Sequence, residues 1–232
     1  MKTYFIISLI FCLSLTLLNA QQFRLDDPNV ILKDSLGNII TAKQAELILG
    51  NGPVSFITVD HGNGKQEITL KPVSKKSLER KEEENDKWKT EWIDAQLPPF
   101  ELQNISGETV KNDDLLGKYV VVNFWFIGCK PCIQEMPMLN KLVQKYTKKG
   151  VLFIAPSLDS KSSVTKMLQK RDFEYEILTD AKSLAKDMEV SSYPTHLIID
   201  KEGNIKEILI GGSEDIFEKL DSLLSKVMTS SN

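Results

Sequence analysis

The feature that most constrains this chain is an apolar run that breaks into a closely spaced cysteine pair. Tyr119 to Phe126 contains Val120-Val121-Val122 and reads as a strand of a sheet covered on both faces. Ile127-Gly128-Cys129-Lys130-Pro131-Cys132 follows, and then Met138, Leu139, Leu142, Val143 and Tyr146 recur at helical spacing toward Gly150. A strand that feeds a helix through so short a junction belongs to an α/β layer architecture. Pro131 suits a first helical turn, where its missing N–H is not needed. Pro137 is expected to bend the helix further along. Cys129 falls at or just before the helix N-terminus, where unpaired N–H groups and the macrodipole favour negative charge. A thiol placed there ionises more readily, and the thiolate is the species that attacks a disulfide. Cys132, one turn on, stands where it can close onto the same sulfur. Lys130 adds positive charge beside both.

Composition narrows the class. The 232 residues allow one domain or two small ones, and 41% apolar with 26% charged is ordinary for a packed soluble protein. The net charge is −3, and no basic stripe interleaved with aromatics appears, which argues against a nucleic-acid partner. Met1 to Ala20 reads as a secretory signal: Lys2 at the start, the apolar stretch Tyr4 to Leu18, then Asn19-Ala20 as a small-residue exit. The apolar run is short against the ~20 residues of a membrane span. Two alternatives stand beside cleavage. One is a retained anchor, because Leu18 is a mediocre residue before a cut; the other is a lipid anchor at Leu9-Ile10-Phe11-Cys12, which the bulky Phe11 fits poorly. Export removes Cys12 and leaves only Cys129 and Cys132. A disulfide-stapled secreted domain carries more cysteines at wider spacing. Closing so short a loop restrains the unfolded chain little, so redox chemistry explains the pair better than stability does.

Taken in order, residues 21–71 read as a small unit. Val30 to Lys33 and Ile39-Ile40 flank Asp34-Ser35-Leu36-Gly37-Asn38 and suggest a hairpin. Thr41 caps a short helix to Leu49, and strands Val54 to Val59 and Gln66 to Leu70 bracket His61-Gly62-Asn63-Gly64. No chemistry is recognisable there. His61 reads as a solvent-facing turn residue, and the unit is expected to dock a partner or brace the rest. Residues 72–96 are dense in charge and read as a solvated connecting helix, with Trp88 and Trp92 one turn apart packing against a neighbouring domain. From Leu97 onward a second domain runs to residue 232. After the cysteine-bearing helix it predicts a strand Val151 to Pro156, helices near Ser162 to Arg171 and Ala181 to Glu189, and a short strand Tyr175 to Leu178 between them. A hairpin of Thr195 to Asp200 with Ile205 to Ile210 follows, then a final helix from Asp215 with Ile216, Leu220, Leu223, Leu224 and Val227 on one face.

The strand, its aromatic end, Cys-Lys-Pro-Cys, Glu135 and a proline five residues after the second cysteine resemble the active site of thioredoxin-like proteins. More narrowly, the stretch Leu97 to Met228 resembles the TlpA/ResA type of extracytoplasmic thiol–disulfide oxidoreductase, a redoxin group related to AhpC/TSA. The resemblance implies a thioredoxin-like α/β sandwich with a central strand–helix insertion, here preceded by a small α+β unit. It matches Pro194 to the cis-proline that faces the cysteines, whose bent backbone frees groups of the preceding residue to pair with a substrate peptide. Trp125, Lys130, Pro131, Tyr193 and Thr195 are then expected around the substrate, although a strand-end aromatic such as Trp125 is often simply core. An acid at the place of Glu135 tunes the cysteines in that family: a carboxylate beside the second thiol can take its proton before it attacks. The plainer reading is a glutamate serving the helix dipole. Asn123 stands where thioredoxin has a buried aspartate, and Gly128 replaces the tryptophan common before the first cysteine. His196 reads as a paired or solvent-facing strand histidine rather than a catalytic one.

Several function classes follow. An oxidoreductase uses Cys129 as the attacking thiolate and Cys132 as the resolving thiol on protein disulfides, with the Cys129–Cys132 disulfide as its only redox group. A related peroxidase wants Thr or Ser three residues before the reactive cysteine and proline four before that, where Phe126 and Val122 stand. A metal carrier needs a further ligand, and His61 and His196 are both remote in sequence. A non-catalytic binding protein with a structural disulfide is the last class. Direction is open at this level: Lys130 and the helix dipole favour the reduced form and so a better oxidant. The resemblance implies a reductant of exported proteins, such as apocytochromes before haem attachment, fed by a membrane electron donor.

Overall fold

The computed structural model describes residues 25–61 and 65–230, which fall into two compact units divided between Arg80 and Lys81. The signal-like segment with Cys12 and the Gly62-Asn63-Gly64 turn lie outside the described residues.

In the first unit, β1 (Val30–Lys33), β2 (Val54–Asp60) and β3 (Gln66–Pro72) form a sheet in the order β1-β3-β2, packed by α1 (Ala42–Gly50). Helix α1 opens with a capping box: Gln44 N–H donates to the Thr41 hydroxyl while Thr41 N–H donates to the Gln44 side chain. Leu32, Ala45, Ile68 and Leu70 make its small core. The expected hairpin is only half realised. The turn forms, with Asp34 Oδ1 accepting from the N–H groups of Leu36 and Asn38, but Ile39 contributes a single bridge to Lys33. Strand β1 instead pairs parallel with β3, which sets Leu32 against Ile68 on the buried face. Burial on that face outweighs the nearer but exposed Ile39.

Helix α2 (Lys75–Trp92) crosses the border, and from Lys81 onward it belongs to the second unit. Its inward stripe is Lys81, Asn85, Trp88 and Trp92, spaced as one helix face requires. Lys81 donates to the Ser191 hydroxyl at 2.9 Å, the Ser192 hydroxyl donates to Asn85 at 3.3 Å, and the Trp88 indole donates to the Met188 carbonyl at 2.6 Å. The second unit therefore starts at Lys81 rather than Leu97, because the apolar and polar edge of this charged helix is used up in packing.

The second unit continues with a small hairpin, β4 (Glu101–Gln103) and β5 (Thr109–Lys111). Then come β6 (Tyr119–Phe124), α3 (Lys130–Tyr146), β7 (Val151–Pro156), α4 (Lys161–Leu168), β8 (Glu176–Leu178), α5 (Lys182–Asp187), β9 (Thr195–Ile199), β10 (Ile205–Ile210) and α6 (Ile216–Ser230). The sheet order is β10-β9-β6-β7-β8, with β6, β7 and β8 parallel and β9 antiparallel to both of its neighbours. Helices α3 and α6 bury Met136, Leu139, Leu142, Leu220 and Leu224 with Val121 and Ile198. Val120, Val122, Phe124, Leu197 and Ile199, on the alternate strand positions, pack in a second cluster with Leu184, Met188, Trp88 and Trp92. This is the thioredoxin-like α/β sandwich, with β8 and a flanking helix as the extra pair between β6-α3-β7 and β9-β10-α6. Among the described residues no helix is long and apolar enough to cross a membrane.

Candidate active site

Strands β6 and β9 run antiparallel at the middle of the sheet with Phe124 opposite Thr195, so the end of β6 meets the start of β9. One delivers the cysteines and the other delivers Tyr193-Pro194. Cys129 is the N-cap of α3: its sulfur accepts from the Cys132 N–H at 3.3 Å, and Pro131 sits in the first turn. A disulfide joins Cys129 and Cys132. Cys129 is 5% exposed and Cys132 0%, so of the two only the first residue keeps any surface. The loop before it is pinned by the Ile127 N–H, which donates to Asp159 at 2.7 Å. Lys130 and Pro131 are exposed at the rim. Tyr193 is half-buried, meets Phe126 edge-on at 5.4 Å, and donates its hydroxyl to the Val190 carbonyl; burial pushes its pKa up. The Tyr193–Pro194 bond is cis, and the Pro194 carbonyl accepts from Gly211 N–H at 2.8 Å.

Two residues expected around the substrate are elsewhere. Trp125 is fully buried, edge-on to Phe173, with its indole donating to the Ala155 carbonyl, so it belongs to the core. The Thr195 side chain is buried, and its hydroxyl donates to the Ser192 carbonyl at 2.7 Å. It falls in register with Leu197 and Ile199, whose side chains pack on the face away from α3.

Glu135, one turn beyond Cys132, is buried beneath the helix. Its Oε1 lies 3.1 Å from Nε2 of His196, with both side chains almost fully shielded. The approach is at ion-pair distance, yet neither atom meets hydrogen-bond alignment with any group. Asn123 is the cross-strand partner of His196, and both of its side-chain polar atoms are buried without a protein partner. The Tyr175 hydroxyl is likewise buried and unpartnered, and burial first, then the charge of Glu135, pushes it well above the ordinary tyrosine value. A groove of about 480 Å³ opens beside the site, lined by Pro131, Gln134, Glu135, Met138, Gly212 and the following Ser213 and Glu214. Gly212 matters because a Cβ there would stand 3.0 Å from that of Pro131 and 3.5 Å from Oε2 of Glu135. The glycine lets the loop close on the active-site helix.

Sequence reading left His196, Asp159 and Gly212 outside the site. The signal for His196 was its place in Thr195-His196-Leu197-Ile198-Ile199: a histidine sharing the face of Ile198 points into the core beneath α3.

Residues 93–208 match the model of the AhpC/TSA family. The chain belongs to that family. The thioredoxin-like protein YneN of Bacillus subtilis is 38% identical over 132 residues, covering 54% of this chain and 77% of its own length. The thiol–disulfide oxidoreductase ResA of Bacillus cereus is 35% identical over 137 residues, covering 58% and 78% respectively. A crystal structure of a putative thiol:disulfide interchange protein DsbE from Chlorobium tepidum matches with a TM-score of 0.55 at 26% identity, covering 58% of this chain and 96% of that one. The chain is an enzyme of the thiol–disulfide oxidoreductase class with a thioredoxin-like fold.

Proposed function

We propose that Cys129–Cys132 is the redox centre and that it works as a reductant of protein disulfides outside the cytoplasm. The observation that carries this reading is a cysteine that caps a helix and keeps slight exposure, disulfide-bonded to a fully buried one a turn later. In the reduced enzyme the Cys129 thiolate attacks one sulfur of a target disulfide, forms a mixed disulfide and expels the first target thiolate. Cys132 then gives its proton to Glu135 and attacks the Cys129 sulfur. The second target thiolate leaves, the Cys129–Cys132 bond forms, and two electrons have passed to the target. Lys130 and the helix N-terminus stabilise the attacking thiolate. Tyr193 and Pro131 form the rim over which a target peptide lies, with the cis bond to Pro194 setting the backbone there. Export rests on Met1 to Ala20, and the reducing direction rests on the resemblance of the Cys-Lys-Pro-Cys region to the TlpA/ResA type. Apocytochromes awaiting haem, or exported thiols in general, are the targets this implies, with a membrane donor returning the electrons. The first unit serves as a docking element for such a partner.

Replacing Cys132 with Ser in the native compartment should leave target proteins attached to Cys129, releasable by dithiothreitol. A clean monomer would overturn the assignment. The reduction potential should fall nearer the about −270 mV of a reducing dithiol than the about −120 mV of a strong oxidant.

A further inference from the structure

The redox reading accounts for Cys129, Cys132 and Glu135 but leaves His196 without a role, although it is fully shielded and stands 3.1 Å from Glu135. Burying a carboxylate is costly unless a counter-charge meets it. Among the described residues, His196 is the only basic group at ion-pair distance from Glu135. We infer that His196 is the positioning residue of the resolving step: its imidazolium holds Glu135 as an oriented carboxylate, ready to take the Cys132 proton. This rests on the redox reading of the cysteine pair.

The geometry separates the two carboxyl oxygens. Oε1 faces His196, while Oε2 lies toward Gly212 and the groove. The step then balances as follows. The proton of Cys132 passes to Glu135, and Cys132 sulfur becomes the thiolate that attacks Cys129. The bond between Cys129 and the target sulfur breaks, and the target leaves as a thiolate. The proton on Glu135 exits through the groove side and ends on that thiolate. His196 keeps its own proton throughout, so its positive charge offsets first the carboxylate and then the thiolate. Other groups around the pair are Cys132 on α3, the neutral Tyr175 hydroxyl before β8, uncharged Asn123 on β6, and Glu214 beyond β10 at the groove wall. None of these supplies positive charge. Asn123 and Tyr175 leave unpartnered polar atoms in the same buried region, which suits an environment where protonation changes during turnover.

The test uses the reduced full-length protein and dithiobis(nitrobenzoate). Attack by Cys129 releases one coloured thiolate, and resolution by Cys132 releases the second, so the two phases report the two sulfurs separately. In His196→Gln the first phase should stay within about twofold of the parent. The second should slow by about tenfold or more at neutral pH, inside the 10²–10⁴-fold range of general-base assistance. Its pH profile should move to higher pH, because a base deprived of its cation ionises later. In a Glu135→Gln background the same replacement should add nothing, as two residues acting through one another require. A second phase of unchanged rate and pH profile in His196→Gln would overturn the inference, as would equal slowing with and without Glu135. His196→Asn is the second replacement. Independently of any change at 196, the labelled His196 ring resonance at neutral pH should shift in Glu135→Gln relative to the parent; an unchanged resonance overturns the inference. Absence of the first phase in the parent would overturn the redox reading itself, and this inference with it.

Discussion

Trp88→Ala should destabilise the redox unit and slow it. The Trp88 indole donates at 2.6 Å to the carbonyl of Met188, the residue that closes α5, where helix carbonyls otherwise lack partners. Losing that bond costs about 1 kcal/mol. Fully buried Trp→Ala replacements cost about 3–5 kcal/mol, and Trp88 is only half-buried, so its apolar contact contributes about 2 kcal/mol. The sum of about 3 kcal/mol lowers the melting temperature by about 6–12 °C for a unit of this size. Trp88→Phe keeps most of the contact and should lose about 1 kcal/mol. Urea unfolding followed by tryptophan fluorescence is the assay, because Trp88, Trp92 and Trp125 all lie in the second unit. The segment that α2 holds, Met188 to Ser192, leads directly into Tyr193-Pro194, so thiol exchange should also slow as that strand entrance loosens. A Trp88→Ala protein within about 0.5 kcal/mol of the parent, matching the exposed control Glu83→Ala, would refute the claim that α2 is part of this unit.

Gly212→Ala places a Cβ 3.0 Å from that of Pro131, and should cost about 1–3 kcal/mol in urea unfolding while narrowing the groove; parental stability would show that the loop yields freely. Leu224→Ala on the buried face of α6 should cost about 2–5 kcal/mol yet leave thiol exchange at 25 °C unchanged, since α6 contributes no residue to the groove beside the cysteines. For Asp221, burial is the largest influence and raises its pKa, but hydrogen bonds from Lys145 and Tyr146 and the charges of Lys145 and Lys149 lower it below the ordinary value overall. A lowered folded value gives stability that is present above the unfolded value of about 3.9 and is lost as pH falls through the folded one. Asp221→Asn should therefore be less stable than the parent near neutrality and converge with it in acid; a constant difference at all pH would contradict that coupling.

Much of the second unit was legible because its signals are local. Val120-Val121-Val122, Cys129 as a cap and Pro131 in the first turn each specify backbone within a few residues, and the structure places them accordingly. What sequence could not decide were competitions with distant partners. Ile39 looked like the mate of β1, but β3 offered Ile68 and a buried face from the far side of α1 and β2. Trp125 looked able to cover the site, until Phe173 and the Ala155 carbonyl claimed both its ring and its N–H. Glu135 read as a proton acceptor with a dipole partner as the plainer alternative, and only the folding of β9 against β6 brings His196 to it. The charge of residues 72–96 suggested a solvated connector, because a stripe of four inward residues is too sparse to stand out among so many lysines and glutamates.

The small sheet of the first unit stops at β2 with nothing hydrogen-bonded to its outer side among the described residues, and Ile57 and Val59 are nearly half exposed there. Such a border is a ready template for another chain's backbone. Expressed alone and concentrated, this unit should add strand to strand with copies of itself, and a single lysine in place of Ile57 should keep it apart.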